Sequence, residues 1–163
     1  MSSIKQTDLQ SSQWLYQLER RLQHPLPGAD AQYLMAPADR AQVQQVPADT
    51  REAGVMALFY PKEEEWHLAL IRRVIRKGDR HSGQVSFPGG RREPDDRNLG
   101  DTALRETEEE VGVPVSRVRL LGALTPLYIP VSRYKVHPFV GFVHQAPYFQ
   151  LQTSEVQSLL EVP

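Results

Sequence analysis

The stretch Gly89 to Val113, GGRREPDDRNLGDTALRETEEEVGV, constrains this chain more than any other. Its second half crowds four carboxylates, Glu106, Glu108, Glu109 and Glu110, into five residues. At about 100° per residue, Arg105, Glu106, Glu109 and Glu110 share one side of a helix. Ala103, Leu104, Thr107 and Val111 fall on another side, suited to packing on a sheet. Gly112 is expected to stop the helix in a left-handed conformation. Such a helix is poorly built for stability alone. The like charges of Glu106 and Glu110 cost roughly 0.2–0.5 kcal/mol. Carboxylates near a helix C-terminus also oppose its dipole, at about 0.3–1 kcal/mol each when exposed. Arg105 offsets part of this charge. A hard divalent cation, which takes oxygen ligands and shares them with substrate phosphates, would offset more. An isolated acidic run is usually a solvated face. The flanks argue otherwise here: a Phe-Pro-Gly-Gly turn precedes the helix, Arg105-Glu106 opens the acidic half and Gly112-Val113 closes it.

The remaining chain supplies a frame. Residues 1–6 are expected to fray. From Thr7 to His24, Leu9, Trp14, Leu15, Leu18 and Leu22 recur at helical steps; Thr7 or Asp8 would cap this helix, and Pro25 and Pro27 end it. Its short apolar face suits packing on the main domain or a second copy rather than a membrane surface. Pro25 to Thr50 reads as a connector with a short strand near Tyr33–Met35. Ala53–Tyr60 and Trp66–Ile75 read as strands paired in a hairpin. A basic loop, residues 76–83, leads into a short strand and the Phe87-Pro88-Gly89-Gly90 turn. Beyond the acidic helix, Val115–Leu124 reads as a strand, Thr125–Arg133 as a loop, and Tyr134–His144 as a strand that Pro138 places at an edge or bulge. Ser154–Glu161 reads as a short helix capped by Ser154.

Composition excludes several functions. The 163 residues suffice for one domain with a real core. A net charge of −1 makes no electrostatic case for nucleic acid or an acidic membrane. No cysteine is present, so thiolate catalysis, Cys-zinc sites and disulfides are ruled out. That fits a cytoplasmic location. No apolar run approaches a membrane span.

The acidic stretch resembles the signature box of the Nudix hydrolases, with Gly90, Arg105, Glu106, Glu109, Glu110, Gly112 and Val113 on its pattern. Two positions depart: the first acid is Asp96 with eight residues after it, and Thr107 stands at an apolar place. The longer spacing is similar to the branch containing the coenzyme A pyrophosphatases. That branch carries an upstream motif which Arg73, His81, Gly83 and Phe87 to Gly90 match, while Asp79 stands where a basic residue is usual. Relatives in that branch run on past the final Val162-Pro163, so the chain looks short at that end.

The resemblance implies an α/β fold, a Nudix-type α/β/α sandwich with a mixed sheet, at residues 51–163, preceded by a helix and connector at 1–50. It implies Mg²⁺ or Mn²⁺ held by Glu106, Glu109, Glu110 and the Gly90 carbonyl, with Glu106 or Glu109 as base and Arg105 orienting them. Glu155 is an acid outside the box that such enzymes recruit, or an exposed acid in a helical turn. Arg73, Arg76, His81, Gly83 and Phe87 are expected to meet the substrate, a nucleoside diphosphate linked to another group, coenzyme A first among them. Tyr128, Tyr134 and His137 fall where the substrate lies in this family, although packing explains any one of them. Pairing of two copies is left open.

Overall fold

The computed structural model describes residues 13–35, 46–78 and 81–163. In chain order these form helix α1 (residues 13–22), α2 (Gly28–Leu34), strands β1 (Arg51–Lys62), β2 (Glu65–Arg73), β3 (Val85–Ser86) and β4 (Gly89–Arg91), and helix α3 (Leu99–Val111). A 3₁₀ turn at Val115–Arg117 leads to β5 (Arg119–Ala123), β6 (Leu127–Ile129), β7 (Tyr134–Phe142) and β8 (Val156–Val162).

β1 is the axis of the sheet. Its second half pairs antiparallel with β2, from Leu58↔Ala69 to Lys62↔Glu65. The hairpin turns at Glu63 and Glu64, whose φ of 52° and 64° are the two left-handed values a tight reversal takes. The first half of β1 pairs instead with β4, Ala53↔Arg91 to Val55↔Gly89. β2 meanwhile takes β3 at Ile71↔Ser86 and Arg72↔Val85. Residues 85–91 therefore fill the fork where β1 and β2 part. Along its other edge β1 pairs with β7 in parallel, from Arg51↔Tyr134 to Phe59↔Phe142. The sheet is thus mixed.

Alternation along β1 sends the two halves of the core to opposite faces. Gly54, Met56, Leu58 and Tyr60 face α3, which comes so close at Gly54 that a Cβ there would overlap the Leu99 carbonyl and lie 3.0 Å from the Ala103 nitrogen. The main core, with Met56, Leu58, Ile71, Ala103 and Val111, lies on this face. On the opposite face Leu15, Leu18 and Leu22 of α1 pack on Leu121, Val140 and Phe142. Trp14 sits edge-on to Phe59 and stacks on Trp66, each at 5.4 Å. The helix expected from Thr7 is seen from residue 13; Leu9 and its capping residues Thr7 and Asp8 lie outside the described residues.

Five expectations are corrected. Tyr33 lies within helix α2 and Met35 is its C-cap, rather than a strand, and Gln32 of α2 donates to the Thr125 carbonyl at 2.8 Å. The segment from Val115 starts as a 3₁₀ turn before becoming β5, and the loop from Thr125 contains β6. β7 is an interior strand despite Pro138. The proline carbonyl accepts from Leu124 N at 2.8 Å, at the place where β5 ends and before β6 begins, so the missing N–H falls at a gap in the ladder. Residues 156–162 form β8 rather than a helix, pairing with β2 from Leu68↔Val162 to Arg73↔Val156. An unpaired edge of β2 offers that segment a full hydrogen-bond ladder, and local helical spacing cannot compete with it.

Candidate active site

Helix α3 is fixed at both ends by local chemistry. Asn98 caps it, its side chain accepting from Asp101 N at 3.0 Å, a contact of about 1 kcal/mol. Gly112 ends it at φ 73°. Thr107 is fully buried, and its hydroxyl donates to the Ala103 carbonyl at 2.6 Å, so a threonine satisfies an apolar position without stranding a polar group.

Arg105 organises the acids. Its Nε and Nη2 hold the two oxygens of Asp96 at 3.0 and 3.1 Å. Nη1 donates to Glu106 Oε1 at 3.0 Å and to Glu109 Oε2 at 2.9 Å, and Nη2 also reaches the Arg91 carbonyl at 3.1 Å. Asp96 accepts further from Glu93 N and Thr102 Oγ1, both at 2.9 Å. The bidentate bond to Arg105 holds the Asp96 carboxyl well below the usual carboxylate range. Asp96 is therefore the anchor of the clamp, bound on both oxygens.

Glu110 is the contrasting case. Its side chain is 2 % exposed. Oε2 accepts from Gly89 N at 2.8 Å, whereas Oε1 is buried with no hydrogen-bond partner, and Arg73 Nη1 stands 3.5 Å away. Burial pushes the Glu110 carboxyl up to about 7, with Glu106 and Glu155 adding to the rise and Gly89 and Arg73 opposing it. Burial also raises Glu106; Arg105 draws it back, and Glu109 and Glu155 push it up again. Glu155 thus stands close enough to act on both. Gly90 abuts Glu106 so tightly that a Cβ would overlap the carboxylate.

These residues fit a divalent cation. A buried carboxylate oxygen without a hydrogen bond, two carboxyls, Glu106 and Glu110, raised first by burial and then by acidic neighbours, and a glycine backbone against one of them form an oxygen-rich site that a cation would complement. Among the described residues no three acidic or histidine side chains already converge on one ion position, and Arg105 holds the oxygens of Glu106 and Glu109 instead.

Beside the acids opens a cleft of about 1060 Å³. Arg51, Ala53 and Val55 of β1 line it, so it lies on the sheet face opposite α3. It meets the acids through Arg73, Gly89 and Gly90, which belong to both. Among the described residues, Arg51, Arg73, Arg91 and Arg133 line the cleft, and no acid does. Of the five residues expected to meet substrate, Arg73, His81 and Phe87 line it. Arg76 is tied elsewhere, its guanidinium donating to the Ser154 carbonyl. Gly83 forms a bend at φ 68° beneath Ile75 and is not on the lining. Tyr134 lines the cleft; Tyr128 does not, and His137 pairs with Glu52 at 3.2 Å. Asp79 lies outside the described residues. Sequence reading missed Arg51, Arg91 and Arg133. For Arg51 the signal was present: alternation through Arg51, Ala53 and Val55 puts it on the cleft face of β1.

The NUDIX domain family model matches residues 50–159. The uncharacterised Nudix hydrolase NudL of Yersinia pestis is 45 % identical over 118 residues, 71 % of this chain and 57 % of that protein. The chain therefore spans little more than half the length of the curated relatives it matches. The Ap4A hydrolase of C. elegans superposes with a TM-score of 0.57 at 15 % identity, over 69 % of this chain and 79 % of that one. The NUDIX domain of Shewanella oneidensis NrtR, solved with ADP ribose, superposes at 0.53 with 19 % identity, over 83 % of each chain. At these identities the likeness concerns the fold.

Proposed function

The chain belongs to the Nudix family, and from that premise we propose that it hydrolyses the diphosphate bond of a nucleoside diphosphate linked to another group, with coenzyme A or an acyl derivative as the favoured substrate. One observation carries the reaction class. An arginine-lined cleft and a cluster of carboxylates meet across Gly89 and Gly90, which add no side chain of their own between them. The coenzyme A preference rests on the resemblance of the segment from Arg73 to Gly90.

Glu106, Glu109 and Glu110, with the Gly90 carbonyl, would hold Mg²⁺ or Mn²⁺. Bound there, the cation would offset diphosphate charge and lower the pKa of an attacking water. Arg73 sits between Glu110 and the cleft, placed to grip a phosphate oxygen. A glutamate takes a proton from the water as its oxygen bonds to phosphorus; the bridging P–O bond breaks and two phosphate monoesters leave. Glu106 and Glu109 are the two candidates for that proton. Arg105 holds both in place and is in turn anchored by Asp96.

The test is a Mg²⁺-dependent hydrolysis panel read by mass spectrometry, with coenzyme A, ADP-ribose, a nucleotide sugar and a nucleoside triphosphate side by side. Phosphopantetheine appearing fastest supports the full proposal. Faster cleavage of another compound keeps the reaction class and overturns the substrate. No cleavage by folded, metal-loaded protein overturns the hydrolase reading in favour of a nucleotide-binding module.

A further inference from the structure

Arg51 stands on the cleft at a distance from the reacting end. Along β1, Gly54 and Val55 face Gly90 and Gly89, so Arg51 is three or four residues away, roughly 10–13 Å at the rise of a strand. A diphosphate held at the glycine turn does not extend that far; the group attached one sugar beyond it does.

The side chain is held at two points. Its guanidinium lies 4.4 Å from the centroid of the Tyr134 ring, and Nη2 donates to the Ser132 carbonyl at 2.8 Å. Its backbone N–H donates to the Arg133 carbonyl at 3.1 Å. Arg133 is itself fixed in the left-handed region, at φ 54°, with its guanidinium 3.0 Å from Asp49. The Arg51 guanidinium thus rests over the Tyr134 ring, while the residue remains exposed and lines the cleft. Guanidinium planes stack on nucleobases as aromatic rings do, and Ile129 and Val136 give the same wall apolar surface.

We propose that Arg51, backed by Tyr134, is the stacking platform for the substrate's nucleobase and sets the preference for a nucleotide over other phosphate esters. This rests on the reading of the cleft as a nucleoside diphosphate site. The alternative role for Arg51 is that of a point charge for a second anionic group, which lysine would serve equally well.

Calorimetry without metal separates the two, with adenosine monophosphate and ribose 5-phosphate as probes on wild type, Arg51→Lys and Arg51→Ala. Wild type is expected to bind adenosine monophosphate about tenfold or more tighter than ribose 5-phosphate, the scale of one stacked base. Both substitutions should erase that preference and leave ribose 5-phosphate within about twofold. Arg51→Lys keeps the charge and carries the test if Arg51→Ala fails to fold. A preference retained in Arg51→Lys overturns the proposal, as does wild type with no preference. Binding needs no turnover. Inactivity across the hydrolysis panel, together with a base preference lost in Arg51→Lys, would sink the hydrolase reading and support the platform.

Discussion

Helices α1 and α3 lie on opposite faces of the same sheet and use charge in opposite ways. α1 docks through Trp14, Leu15, Leu18 and Leu22, and its ion pair, Glu19 with Arg119 at 2.7 Å, lies at the surface. α3 docks through Ala103, Thr107 and Val111 but carries Glu110 into the interior with one oxygen lacking a hydrogen bond. In α1 burial and charge are kept apart. In α3 they are combined, at a cost in stability that a structural helix need not bear. The contrast separates residues that hold the fold from residues kept for a ligand.

The sharpest test of that contrast is Glu106→Gln. Hydrolysis should fall by about a hundredfold to a thousandfold, the scale seen when one charge-stabilising group is lost, while the melting temperature holds or rises. Full activity with a lowered melting temperature would make Glu106 a structural residue. Arg105→Ala should do both kinds of damage. Removing one partner of a buried ion pair costs about 3–5 kcal/mol, and Asp96 would be left without its cation. Urea denaturation measures this, and a loss under about 1 kcal/mol would show that the clamp is dispensable.

Glu110 makes the contrast depend on pH. Its folded pKa, about 7, lies above the ordinary 4.5. The folded state therefore binds the proton more tightly, and this contribution is complete below about 4.5 and lost as pH rises through about 7. Metal-free protein should lose roughly 3 kcal/mol of stability across that window relative to Glu110→Gln. Mg²⁺ or Mn²⁺ should restore stability at the upper end. Parallel pH profiles for the two proteins would refute the assignment. The smaller effects belong to α1. Leu18→Ala, partly buried, should cost about 2 kcal/mol at most, near the low end for leucine truncation. Glu19→Ala should cost about 1 kcal/mol or less, because Arg119 is half exposed. Both should leave kcat unchanged in the hydrolysis assay.

The acidic helix, its glycine stop and the β1–β2 hairpin were legible because each is written in neighbouring residues. The spacing of Arg105, Glu106 and Glu109 alone puts a guanidinium within reach of both carboxylates. The C-terminal strand and Pro138 were not legible. Val156 to Val162 has a spacing that suits helix or strand, and the open edge of β2 settled which. Pro138 reads as an edge signal, and only the break between β5 and β6 shows how an interior strand accommodates it.

The same division runs through the site. Sequence alone determined the chemistry of α3, since acids three and four residues apart share a helix face whatever surrounds them. It also determined that Gly89 and Gly90 leave backbone open beside them. Tertiary structure decided which acid is buried, that Asp96 anchors Arg105, and that Arg51 meets Tyr134 although 83 positions separate them in the chain. Pairing distant strands depends on which edges and apolar faces must be covered, and that demand belongs to the assembled sheet rather than to any one segment of it.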